Sequence, residues 1–218
     1  MDVKKFIIQH SKTWKRPDEA YFDYQDQAKD IDPDEIEWNG KHKRIRELRD
    51  LAIFGMALYD LYNTPFFVQM NEIDDSPDAF VMRQSPNEEL TNDIGPVELT
   101  FYGRNKLGMP SKSLVDKLSE PGGKFTKLPD GYCLVVHIGK GLSVDHEAVT
   151  QKLKSISAKF QAFSLQEISN YPDTIARFVV YSPECQFKDI NIGEMGEKFK
   201  GSGIFGEVTQ VRGRPPVN

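Results

Sequence analysis

The run Gly131-Tyr132-Cys133-Leu134-Val135-Val136-His137-Ile138 constrains this chain more than any other segment. It is almost continuously apolar and carries no Asp, Glu, Lys or Arg. A strand with one wet face would alternate apolar and polar residues, so a strand built from this run must be covered on both faces. The fold class expected from it is therefore α/β, a mixed central sheet flanked by helices on both faces.

The segments around that run supply the layers. From Lys41 to Tyr62 the spacing predicts a helix, with Ile45, Leu48, Ala52, Met56 and Tyr59 on one face and Leu51, Phe54, Leu58 and Leu61 beside it. Its second half should be buried nearly all round, and Asn63-Thr64-Pro65 should stop it. Three strands are expected next, at Phe66 to Asn71, Asp78 to Arg83 and Val97 to Tyr102, with turn-rich segments between them. Pro110-Ser111 opens a short helix carrying Leu114, Val115 and Leu118. After the apolar run, Ser143 or Asp145 caps a helix whose stripe is Val149, Leu153, Ile156, Phe160 and Phe163, and Arg177 to Tyr181 reads as the last core strand. Residues 1–40 mix Phe6, Trp14, Tyr21, Phe22, Tyr24 and Trp38 with many acids and weak periodicity, which suggests short helices or an irregular arm. The expected organisation is an arm over 1–40, a core over 41–185 and an irregular tail over 186–218, all in one domain.

Several function classes are excluded by what the chain contains. Its 218 residues, 39% of them hydrophobic, suit one well-cored domain. No apolar stretch approaches membrane-spanning length and nothing at the N-terminus resembles a cleavable signal, so no membrane partner and a cytoplasmic location are expected. Cys133 and Cys185 lack the C-x-x-C spacing of a zinc or redox site. The absence of a G-x-S-x-G elbow and of a P-loop argues against serine hydrolases and nucleotide-driven enzymes. A net charge of −5 argues against coating nucleic acid by bulk electrostatics. Local basic clusters remain, and Lys43, Arg44 and Arg104 are the candidates for meeting phosphates. His137, inside the apolar run, reads as a hydrogen-bonded core residue rather than a catalytic base.

Two carboxylates stand out because their surroundings are wrong for them. Asp78 lies beside Ala79-Phe80-Val81, and Glu98 lies between Val97 and Leu99. Acids pack poorly in strands and are costly to desolvate, and a shared divalent cation is one reason to place them there. Alternation puts Glu98 and Thr100 on one face and Val97, Leu99 and Phe101 on the other. Hairpin pairing of the two strands would bring Asp78 and Glu98 within reach of one metal ion.

Pro77-Asp78 followed by Glu98-Leu99-Thr100, after a long helix and before a helix, strand, helix, strand succession, resembles the restriction-endonuclease-like superfamily with its PD-(D/E)xK signature. The resemblance covers about Lys41 to Tyr181. It implies that Asp78 and Glu98 hold Mg²⁺ or Mn²⁺ with the backbone carbonyl of Leu99, and that DNA is the substrate. Thr100 stands where the family usually has lysine, and a hydroxyl supplies no positive charge. Within the resemblance Thr100 becomes a hydroxyl lining the site, and Lys106 or Lys112 is the nearest downstream replacement for the cation. Two further expectations follow. One is a catalytically inactive relative that binds nucleic acid or protein as a regulatory module. The other is a docking role for the acidic, aromatic N-terminal segment. A homodimer would fit a nuclease that cuts two strands.

Overall fold

The computed structural model describes residues 14–72, 76–83, 93–103, 112–156, 160–168, 175–180 and 186–201. Helices α1 (Pro17–Ala28), α2 (Pro33–Trp38) and α3 (Lys43–Tyr62) lead into strands β1 (Phe66–Met70), β2 (Ala79–Arg83) and β3 (Asp93–Tyr102). Two short helices, α4 (Leu114–Ser119) and α5 (Lys124–Lys127), precede β4 (Cys133–Ile138). Then come α6 (His146–Ser155), β5 (Ala162–Ile168), β6 (Ile175–Val180), β7 (Gln186–Asn191) and α7 (Ile192–Gly201). The strands form one mixed sheet in the order β1-β2-β3-β4-β5-β6-β7. Neighbours are antiparallel except β3 with β4 and β4 with β5, which run parallel.

The sheet separates two apolar layers. Val97 and Leu99 of β3, Cys133 and Val135 of β4 and Ala162 of β5 pack with α1, α3 and α7. Their neighbours Tyr102, Leu134, Val136, Ile138, Phe163 and Leu165 pack with α4, α5 and α6. All six residues of β4 are buried, as its composition demands. Burial pushes the Cys133 thiol up to about 12, so it is a packing group and not a nucleophile.

Helix α3 is the spine of the first layer. Every residue from Leu51 to Tyr59 is buried, and the helix ends where Asn63 turns left-handed at φ 48° and its N–H donates to the Tyr59 carbonyl at 2.7 Å. A Cβ on Gly55 would stand 2.7 Å from Val68 Cγ1 and 2.8 Å from Pro17 Cγ. Glycine is therefore what lets α1 and β1 close on this helix. Gly55→Ala is expected to cost about 1–3 kcal/mol in overpacking, less about 1 kcal/mol regained in helix propensity. Urea denaturation reads the difference.

Three expectations need correcting, and one open alternative is decided. Of the short helices or irregular arm expected over residues 1–40, residues 17–38 form two docked short helices. Pro17 at the first position of α1 and the Arg16 N–H donating to Glu19 at 3.1 Å start the first, which buries Ala20, Tyr21, Tyr24 and Ala28. The stripe Val149 to Phe163 is not one helix. α6 stops at Ser155, and Phe163 belongs to β5, whose alternation is disguised by the buried polar residues Ser164 and Gln166. Arg177 to Tyr181 is not the last strand, because β7 follows β6. The irregular tail gives way over its first part to β7 and α7, whose Phe199 ring lies 4.8 Å from that of Tyr59. Among the described residues no helix is long and apolar enough to cross a membrane.

Candidate active site

The site is built at the mouth of the β2–β3 hairpin. Asn71, fully buried just after β1, donates its side-chain N–H to the Pro77 carbonyl at 2.8 Å and its backbone N–H to the Asp78 carbonyl at 2.9 Å. This fixes the backbone on which Asp78 sits. The antiparallel register pairs Ala79 with Val97, so one further step places Asp78 beside Glu98. Asp78 Oδ2 accepts the Leu99 N–H at 2.8 Å, which orients the carboxylate across the strand end. Glu98 is 5% exposed and points to the α5 side, away from Val97 and Leu99. Ser76 Oγ donates to its Oε2 at 3.0 Å, and Lys124 Nζ of α5 donates to its Oε1.

A third carboxylate joins from α3. Glu47 is 7% exposed, pairs with Lys43 at 3.2 Å one turn earlier, and responds to the charge of Asp78. Its ion-pair partner is Lys43 of the same helix. Burial and the charge of Asp78 push the Glu47 carboxyl up. Burial also pushes Asp78 up, the Leu99 N–H opposes that rise, and the neighbouring Glu98 charge adds to it. Glu47 thus feels the charge of Asp78, and Asp78 that of Glu98, with Lys43 and Lys124 offsetting the acids.

The other residues proposed from sequence fall as follows. Thr100 is half-buried on β3, two residues beyond Glu98. Lys112 is exposed and paired with Glu120, and its carbonyl accepts the Tyr102 hydroxyl at 3.0 Å. Lys106 and Arg104 lie outside the described residues. Lys43 is turned to Glu47, and Arg44 donates to the Asn71 carbonyl, so both brace the site from α3. The aromatics of the N-terminal segment are mostly turned inward: Tyr21 and Tyr24 are buried, Trp14 and Trp38 half-buried, and Phe22 is exposed.

Sequence reasoning missed Lys124. It sits in a four-residue helix after Gly122-Gly123 with no periodicity to announce it. The available signal was positional, since Lys124 precedes β4, the strand that pairs with β3 and sets Leu134 opposite Glu98.

No family model, no curated protein and no solved structure matches this chain. Its chemistry must be argued from these residues. Among the described residues no group of three or more His, Cys, Asp or Glu side chains is gathered to hold a metal ion. Two carboxylates at the hairpin mouth nevertheless fit a hard cation such as Mg²⁺, which takes one or two protein carboxylates and keeps waters and substrate oxygens for its remaining positions. The raised carboxyl of Asp78 agrees with this donor set, because burial first and the Glu98 charge second disfavour its ionised form and a divalent cation would favour it.

Proposed function

We propose that this chain is a metal-dependent nuclease that hydrolyses DNA phosphodiester bonds, with Asp78 and Glu98 as its metal-holding carboxylates and Lys124 as its cation. The observation that carries the reading is the Asp78–Glu98–Lys124 arrangement: an acid at the start of β2, a second acid beside it within β3, and a lysine on the second. The element order supports it as well. A long helix, three antiparallel strands, then helices and two parallel strands form the succession that the restriction-endonuclease-like resemblance implies. Lys124 supplies from another element the charge that Thr100 lacks, a role for which Lys106 and Lys112 were the sequence candidates.

Mg²⁺ or Mn²⁺, when bound, would lower the pKa of a water and offset charge on the phosphate. The chain's own groups do the rest. Leu99 N–H and Ser76 hold the two carboxylates in place, and the Leu99 carbonyl is the third protein oxygen implied by the resemblance. Lys124, 30% exposed in its side chain, would offset charge developing on a phosphate oxygen. The partner is DNA, and a homodimer would let two strands be cut.

One observation favours a second reading, a catalytically inactive nuclease-fold module that binds nucleic acid or protein. Lys124 already neutralises Glu98 without a metal, so the site is electrostatically complete on that side. A single experiment separates the two. Purified protein is incubated with single- and double-stranded DNA and Mg²⁺ or Mn²⁺, beside an EDTA control and the Asp78→Ala/Glu98→Ala double variant. Cleavage that needs both metal and carboxylates is the expected result. Salt-dependent binding with no cleavage would replace it by the second reading.

A further inference from the structure

On the α3 side of the sheet lies a second set of charged groups, which the nuclease reading does not use. His137 of β4 is 1% exposed and is held between two acids. Its Nε2 lies 2.8 Å from Glu37 Oε1 of α2, and its Nδ1 lies 3.2 Å from Asp50 Oδ1 of α3. Arg49 of α3 completes the set, with Nε 3.1 Å from Asp50 and Nη2 3.4 Å from Glu37 and 3.2 Å from the imidazole. With His137 protonated the four charges cancel. A neutral imidazole has a single N–H, so with His137 deprotonated one of the two buried carboxylates faces a ring lone pair instead of a donor, which is costly even with Arg46 near both acids.

We propose that this quartet is a proton-operated latch, in which the proton on His137 holds the Glu37 side chain and the Trp38 ring against the sheet and its loss lets these side chains shift outward. The four bonds differ in how easily they give. Asp50 and Arg49 sit on the buried spine α3, and Asp50 keeps its bond from Arg49 whatever the state of His137. Glu37 is the most exposed side chain of the four at 10%, lies on a six-residue helix, and meets Arg49 only at 3.4 Å. The carboxylate left without a donor is therefore relieved most cheaply at Glu37, by moving it toward water.

Further groups are packed around His137. The Phe101 ring of β3 stacks on the imidazole at 5.4 Å, and the Arg46 guanidinium lies 4.4 Å from the centroid of that ring. Arg46 also donates to the Ile36 and Glu37 carbonyls at 3.0 and 2.8 Å, so it tethers the end of α2 at any pH. Gln166 of β5 donates to the Asp50 carbonyl at 3.0 Å, the Lys140 N–H donates to Glu37 at 3.3 Å, and Tyr24 of α1 lies 5.9 Å from Arg49. Trp38 reports the latch directly. It closes α2 edge-on to Phe101 at 5.6 Å, and a Cβ on Gly139 would stand 2.8 Å from its ring.

The sign follows from the environment of His137. Burial favours the neutral ring, but the charge of Asp50 and the bonds to Asp50 and Glu37 outweigh both burial and the opposing Arg49, so its pKa is raised. A raised pKa makes the contribution complete below the ordinary value of 6.5 and removes it as pH climbs through the folded value.

The test uses the Trp14→Phe protein, in which Trp38 is the sole tryptophan. Between about pH 6 and 9.5, Trp38 emission is expected to shift to the red in step with the imidazole titration followed by NMR. Glu37→Gln should lower the His137 midpoint by about one pH unit, a ten-fold loss of proton affinity. His137→Gln should abolish the Trp38 transition. An imidazole midpoint at or below the ordinary value, Trp38 emission that stays still while His137 titrates, or the same transition in His137→Gln would each overturn the latch. The Glu37→Gln titration decides the matter if His137→Gln does not fold. The proposal stands apart from the nuclease reading, and none of these readouts involves DNA.

Discussion

Arg49→Met is expected to lower the unfolding free energy by about 3–5 kcal/mol, the range for breaking a buried ion pair from one side. Arg49 is 1% exposed, and its guanidinium is the fixed positive charge of a cluster that also holds Glu37 and Asp50. Methionine fills much of the same volume, so the loss is electrostatic rather than a cavity. Two carboxylates would be left with His137 and the more distant charge of Arg46, and with no guanidinium in contact with both. Urea denaturation at neutral pH measures the effect, and the Glu37→Gln/Arg49→Met double variant should recover part of it because one orphaned charge is gone. The acid side gives a second check. Burial alone would raise Asp50, but the charges of His137 and Arg49 reverse this and hold it at about 2. Its contribution is present above the ordinary value of 3.8 and is lost as pH falls toward 2. The penalty of Arg49→Met should therefore shrink over that interval. A full-sized penalty at pH 2 would mean that the guanidinium acts through packing alone.

Lys124→Met is expected to reduce metal-dependent DNA cleavage by about 10²–10³-fold, the scale on which removing one preorganised donor of transition-state charge acts. Its effect on metal binding should have the opposite sign. Lys124 occupies Glu98 Oε1, and without it that oxygen is free for a cation. Calorimetry with Mg²⁺ should accordingly show affinity unchanged or tighter while cleavage collapses. This split distinguishes a catalytic lysine from a mere structural partner of Glu98, whose loss would weaken both together. Lys124→Arg restores the charge but not the compact ammonium and should recover only part of the rate. Unchanged cleavage in Lys124→Met would remove Lys124 from the chemistry and return the role to Lys106 or Lys112.

The fold was legible in sequence wherever one segment sets its own environment. The apolar run ending at Ile138 is β4, the stripe from Ile45 to Leu61 is α3, and Asn63 ends that helix, because periodicity and a left-handed cap are local properties. β5 was hidden, since Ser164 and Gln166 are polar residues that only a packed sheet can bury. β7 and α7 were hidden because a short strand and a glycine-bearing helix carry little signal until α1 and α3 give them a surface.

The candidate site divides the same way. Asp78 and Glu98 are conspicuous in sequence, since an acid in an apolar strand is anomalous wherever the strand lies. What each charge meets was decided by the tertiary structure alone. Lys124 reaches Glu98 from 26 residues away, Leu99 reaches Asp78 from 21, and Glu37 and His137 meet across 100. The sequence by itself determined which groups would be expensive to bury. Only the packed chain determined how that expense is offset, because the energy of a buried charge depends on partners brought to it through space rather than on its neighbours along the chain.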